Sequence, residues 1–329
     1  MREAGVELIE DTVSRAVMGF AEIVRYLPQH LRRLQRLDAR LAAGRVALVI
    51  CVDYGGFNLR LAALAAKRNI PVLYFITPQV WASRARRMVS MRKTVTKAAV
   101  ILPFEEPLLR ENGIDATFVG HPMLDRATDL PDRATARAEL GLGPGPVLAL
   151  FPGSREQEVE RLIEPFVGAA REAQRRVPGL QIIVSHAPNV TIDPARCPYP
   201  VVRAPSMTVL RAATAVLCKS GTTTLEAAVT GCPLVIAYKT SALTYQIARR
   251  IVTIPYIGMV NVVAGRGIAP EFIQNAVRPA AMADALVPLL DEGSAVRATE
   301  VAELAKVRAA LGTPGAAERV AEMANRLAG

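Results

Sequence analysis

Two short runs in the second half of the chain have the make-up of phosphate-binding turns. "LFPGSREQEVE", residues 150–160, closes an apolar run with Pro-Gly-Ser-Arg and passes into a helical pattern. Backbone N–H groups at a helix start attract phosphate, and Gly153 beside Ser154 permits close approach. Arg155 could add a bidentate contact; equally, Ser154 caps the helix and Arg155 pairs with Glu158 or Glu160. "KSGTTTLEAA", residues 219–228, repeats the device. There Ser220, Gly221 and Thr222 precede a helix whose first turn ends near Glu226. A carboxylate at that place can accept both hydroxyls of a ribose, or it can simply complement the helix dipole. Two such turns together favour a nucleotide diphosphate. Neither has the GxGxxG spacing of dinucleotide folds or the GxxxxGK[ST] spacing of P-loops.

Other residues suit an acceptor. "CVDYGGFNLRL", residues 51–61, sets Asp53 at a strand end before two glycines. It is a candidate general base for a hydroxyl nucleophile, against the commoner fate of a turn or cap aspartate. "TPQVWASRARRM", residues 77–88, holds the single tryptophan, Trp81, with Arg84, Arg86 and Arg87. Such a cluster reads as an anion or headgroup surface, or as a solvated basic face. Val17, Met18 and Phe20 belong to an apolar–basic stretch, 14–37, of the kind that lies on anionic lipid or packs on a core. His121, in "VGHPMLD", has no nucleophile to pair with and reads as structural. Asn261, Arg266, Glu271 and Gln274 string polar groups along residues 260–274, as a cleft-lining or solvated loop would.

The elements that must position these residues alternate. Apolar runs beginning near residues 46, 71, 97, 147, 180, 215 and 232 are separated by amphipathic stretches. Continuous apolar strands between helices predict parallel sheets covered on both faces. Residues 129–146 break the rhythm with Pro and Gly around a short helix, as a connection between two α/β units does. From about residue 280 the pattern is helical throughout. Two such units predict two Rossmann-like domains facing across a cleft, with ligands at the carboxyl ends of the strands.

Composition narrows the classes. The chain has 329 residues, 51% hydrophobic and 21% charged, which is globular rather than disordered. Its net charge of +10 suits an anionic membrane surface or phosphorylated substrates. Aromatic residues are only 5% and no nucleic-acid motif is present, so no nucleic-acid partner is expected. Cys51, Cys197, Cys218 and Cys232 form no CxxC pair, consistent with free thiols in a reducing compartment. Three histidines disfavour a multi-histidine metal site. The first twenty residues lack the pattern of a signal peptide, and no apolar run reaches the roughly 18 residues of a membrane span.

Taken in order, "VMGFAEIVRYLP", "VDYGGFN", "PQVWA", "ILPFE", "FVGHPMLD", "PGSREQEV", "SGTTTLEA" and "NVVAGRGIAPEFIQ" resemble the lipid-A-disaccharide synthase family. These are inverting glycosyltransferases of the GT-B type. The resemblance implies an acceptor- and membrane-facing domain over 1–142, without the family's first strand and its GExSGD turn. A UDP-sugar domain follows over 143–295, and helices over 296–329 pack back on the first domain. It implies transfer of 2,3-diacylglucosamine from its UDP donor to 2,3-diacylglucosamine 1-phosphate, with Asp53 as base. Gly153, Ser154, Arg155, Ser220, Gly221, Thr222, Glu226, Asn261, Arg266, Glu271 and Gln274 would hold the donor. Val17, Met18, Phe20, Trp81, Arg84 and Arg87 would face acceptor and membrane. No metal and no cofactor beyond the UDP-sugar substrate is expected. A homodimer or a separate N-terminal chain is the expected protein partner, on the cytoplasmic face of the bacterial inner membrane. Gly56 and Ser83 stand where the family often has Asp and Trp. A non-catalytic or split-chain relative and another UDP-GlcNAc enzyme of the same fold are the alternatives.

Overall fold

A computed structural model describes residues 5–10, 20–83, 86–188, 190–251 and 254–329. Val17, Met18 and Arg84 lie outside them. The first unit runs α1 (Phe20–Ala42), β1 (Val49–Val52), α2 (Gly55–Ala66), β2 (Val72–Phe75), α3 (Val80–Ser83), α4 (Arg86–Thr94), β3 (Lys97–Val100), α5 (Glu105–Glu111) and β4 (Ala116–Phe118). Its four strands are parallel in the order β1-β2-β3-β4. α6 (Met123–Arg126) and α7 (Arg133–Glu139) make the connection. Asp132 starts α7 by accepting the Thr135 N–H at 2.8 Å, the capping that a short helix among prolines and glycines needs.

The second unit contains β5 (Val147–Phe151), α8 (Glu156–Arg176), β6 (Gln181–Ser185), β7 (Val201–Val202), α9 (Ser206–Ala212), β8 (Ala215–Lys219), α10 (Thr223–Thr230) and β9 (Leu234–Tyr238). α11 (Ala242–Ile251), α12 (Met259–Ala264), β10 (Glu271–Ile273), α13 (Pro279–Leu290) and α14 (Ala295–Ala310) complete it, and α15 (Ala316–Ala328) follows. All six strands are parallel, in the order β10-β9-β8-β5-β6-β7. The chain leaves β5 toward β6 and β7, then returns to lay β8 on its other side. The carboxyl ends of β5 and β8 therefore frame a topological switch point, where such sheets open a crevice.

Burial follows the layers. β5 is buried along its whole length, and β8 and β9 in all but their last residue. One cluster packs Phe166 and Leu162 of α8 with Met282 and Leu286 of α13 beneath the sheet. The opposite face packs Leu225 of α10 with Leu304 and Val307 of α14. β1 departs from the expectation that its apolar run is buried on both faces. Val49 and Cys51 are in the core, but Ile50 is 48% and Val52 44% exposed. It is an edge strand, and α15 covers that face only farther in, where Val320 and Met323 meet Leu73, Ala99 and Val119. All four cysteines are buried free thiols. Among the described residues no helix is long and apolar enough to cross a membrane.

Candidate functional site

The switch point holds a cavity of about 940 Å³. Its walls are the turn after β5 (Gly153, Ser154, Arg155), the turn after β8 (Gly221, Thr222, Thr223) and the loop from Arg203 to Ser206, with Glu226 at the side. The two turns singled out for anion binding thus meet around one space.

Local geometry explains each wall. Gly153 has φ +141°, and a Cβ there would come within 2.5 Å of the Glu158 side chain, so only glycine fits. Arg155, in an extended conformation, occupies the cap position of α8 without a side-chain cap, so Ser154 does not cap it. Arg155 Nη1 donates instead to Glu158 Oε1 at 3.2 Å, the ion pair that was one of its two readings. Thr222 at the start of α10 makes no side-chain cap either, while the Thr224 hydroxyl turns back to the Gly221 carbonyl at 2.9 Å. Hydroxyl capping is therefore not why these threonines are there. Glu226 is almost fully buried; its Oε1 accepts the Ser206 hydroxyl at 2.8 Å and lies 3.9 Å from Arg126 Nη1 on α6.

Five residues expected at the donor do not line this cavity, because protein partners take their polar groups. The Ser220 hydroxyl donates to the Ile257 carbonyl at 2.6 Å. Glu271 accepts the N–H groups of Ile257 and Gly258 and the Asn261 amide, at 2.8–3.0 Å. Asn261, wholly buried, donates to the Ala269 carbonyl and accepts from the Ile268 and Ala269 N–H groups. Gln274 exchanges two hydrogen bonds with the backbone of Thr240, and Arg266 pairs with Glu303. Together Ser220, Glu271 and Asn261 pin the 257–269 loop against the second turn. They shape the site from behind.

In the first unit, Asp53 and Tyr54 are consecutive non-glycine residues in the left-handed region, with φ 48° and 47°. Each such residue costs about 1 kcal/mol and persists only where its surroundings hold it. The surroundings are explicit: the Asp53 carbonyl accepts from the Asn58 amide and the Tyr74 hydroxyl, each at 2.8 Å. Burial pushes the Tyr74 phenol pKa well up, keeping it a donor. The Asp53 side chain is exposed at the carboxyl end of β1, and the cap position of α2 belongs to Tyr54. The cap reading of Asp53 is thereby excluded. Arg87 reaches the same turn, its Nη1 3.3 Å from where a Gly55 Cβ would lie.

A family model described as lipid-A-disaccharide synthetase matches residues 1–324. The chain belongs to the lipid-A-disaccharide synthase family. A synthase of Syntrophus aciditrophicus (strain SB) is 40% identical over 335 residues, covering 98% of this chain and 87% of that one. One of Trichlorobacter lovleyi is 39% identical, covering 98% and 86%. Among solved structures, the glycotransferase of kitacinnamycin aligns with TM-score 0.63 at 18% identity, over 99% of this chain and 87% of that one. A UDP-N-acetylglucosamine 2-epimerase from Listeria monocytogenes gives 0.60 at 13%, over 89% and 76%. These last two likenesses are of fold, the paired-sheet GT-B architecture.

For a member of the synthase family, other expectations change. Trp81 is half-buried: its indole N–H donates to Glu105 Oε1 at 3.1 Å and its ring meets Phe104 edge-on at 5.1 Å. It ties α3 to the start of α5. Phe20 is the first residue of α1. The His121 Nδ1 accepts the N–H of Met123, the first residue of α6, at 3.1 Å, and burial drives its pKa down to about 4. Sequence reasoning missed Ser206, Arg203, His186 and Lys219, all on the cavity wall. Only Lys219, directly before the second turn, carried a local signal.

Proposed function

We propose that the chain transfers the 2,3-diacylglucosaminyl group of a UDP donor to the 6-hydroxyl of 2,3-diacylglucosamine 1-phosphate. The products are the β(1→6) disaccharide 1-phosphate and UDP. What supports this reading is the cavity at the switch point, where two anion-ready turns and a buried carboxylate face one space in a member of this family. The diphosphate lies between the 153–155 and 221–222 turns, and the ribose hydroxyls meet Glu226. Asp53 takes the proton from the acceptor's 6-hydroxyl as that oxygen bonds to the anomeric carbon. The carbon–oxygen bond to the diphosphate breaks on the opposite face, inverting the centre, and UDP leaves with the electron pair. Helix starts and Arg155 stabilise the departing charge. Arg87, beside the Asp53 turn, suits the acceptor's 1-phosphate.

Both substrates carry acyl chains, so the reaction belongs at the surface of a bilayer. Exposed Arg32, Arg36 and Arg40 on α1 suit docking on the anionic inner face of the bacterial inner membrane. The outer edge of β1, with Ile50 and Val52 exposed, is where a second copy or a separate chain would extend the sheet.

The test is product formation by purified protein with both lipids in detergent micelles. Disaccharide and UDP are expected in equal amounts. Asp53→Asn lowers kcat by roughly 100-fold or more, with donor binding intact. Binding of UDP without turnover in the parent protein would instead favour the non-catalytic relative.

A further inference from the structure

Lys219 is the last residue of β8 and stands on the wall of the cavity between the two turns. Its Nζ is 3.0 Å from Glu158 Oε1 and 3.6 Å from the place a Gly221 Cβ would take. The same Oε1 accepts from Arg155 at 3.2 Å, and Oε2 accepts the Ser154 N–H at 3.1 Å. One carboxylate therefore gathers an ammonium, a guanidinium and a backbone N–H. That is the donor set a phosphate oxygen collects at a helix start. The side chains of Lys219 and Glu158 are only 18% and 13% exposed, so solvent screens their attraction weakly.

We propose that Lys219 is a diphosphate-binding residue, kept in position by Glu158, whose carboxylate stands in for the donor's phosphate until the donor arrives. The inference rests on reading the cavity as the UDP-sugar site. Two cations share the Glu158 carboxylate beside the 221–222 turn. An ammonium has three donors on a flexible stem, so Lys219 keeps Glu158 with one and reaches a phosphate oxygen with another. Arg155, on the facing turn, closes on the diphosphate from the other side. As UDP leaves, Lys219 returns to Glu158.

The competing account is an ion pair that only fastens α8 to β8. Calorimetric titration of UDP, UMP and uridine separates the two. Lys219→Met keeps the stem and removes the charge. It is expected to weaken UDP roughly 10- to 100-fold, UMP less and uridine not at all. Lys219→Arg restores most of the loss, and Glu158→Gln lowers the melting temperature while UDP affinity holds or rises. Equal UDP affinity in Lys219→Met and parent, or an equal loss for uridine, overturns the proposal. Parent protein that binds UDP no better than uridine overturns the donor-site reading as well, and so is told apart from failure of Lys219 alone.

Discussion

Asp53 directly follows β1 and His121 lies three residues beyond β4, and their surroundings differ. Asp53 is held in a strained turn with its carboxylate exposed. His121 is half-buried, and its Nδ1 must stay unprotonated to accept the Met123 N–H. Its folded pKa, near 4, lies below the unfolded value of 6.5. The folded state then binds fewer protons, so stability is complete above about pH 6.5 and is lost as pH falls through 4. Against His121→Asn, which can still accept that N–H, the parent should lose at most about 3 kcal/mol between pH 7 and pH 4. Urea unfolding at the two pH values measures it, and a constant difference would contradict the assignment. At neutral pH His121 is no proton carrier. The proposal that Asp53 is the base therefore does not compete with His121.

At the scale of elements, the long buried strands were legible because both of their faces are covered. β5, β8 and β9 read as continuous apolar runs, and the turns after β5 and β8 announced themselves by glycine and hydroxyl residues. β7, of two residues, and β10, of three, carry no periodicity to read. The exposed face of β1 was not legible either, since burial depends on what packs against a strand and not on its own composition. Likewise Glu158 meets Lys219 only through the pairing of α8 with β8. Glu300 shows the same limit. From α14 it reaches the start of β9, where its Oε1 accepts the Leu234 N–H at 2.7 Å. Burial drives its pKa up to about 8. The group favours its protonated form in the folded state, so its contribution is fully present below about pH 4.5 and is lost as pH rises through 8. Glu300→Gln keeps the acceptor and removes the titration. Relative to the parent, the variant should gain stability from pH 5 to pH 9, by at most about 5 kcal/mol. Melting curves across that range check it, and a gap that does not widen with pH would refute the buried, proton-holding carboxylate.

For the whole molecule the question is how two sheets are kept in register for a transfer between them. The chain crosses from the first sheet to the second through α6 and α7, and returns after α14 to lay α15 on the first sheet. The two crossings are fastened together: the His121 N–H donates to the Leu311 carbonyl at 2.9 Å, Gly315 N–H to Asp125, and Arg319 to the Val119 carbonyl at 2.8 Å. Gly120, at φ +80°, lets the strands of chain pass closely, since a Cβ there would lie 2.9 Å from the Thr313 carbonyl. Arg126, 3.9 Å from Glu226, carries the same connection to the edge of the switch-point cavity. The cavity walls all come from the second unit, whereas Asp53 belongs to the first. Loosening α15 should therefore separate binding from transfer. Met323→Asp buries a charge among Leu73, Ala99 and Val119, a change worth about 3 kcal/mol or more. UDP affinity is expected to stay within about twofold of the parent, because no cavity residue moves. Disaccharide formation should fall at least tenfold, and hydrogen exchange should rise in β2 and β3 but not in β5 and β8. If UDP affinity falls in step with transfer, the donor site depends on the docked first sheet. The two units would then form one cooperative block rather than two bodies joined by a helix that can be undone.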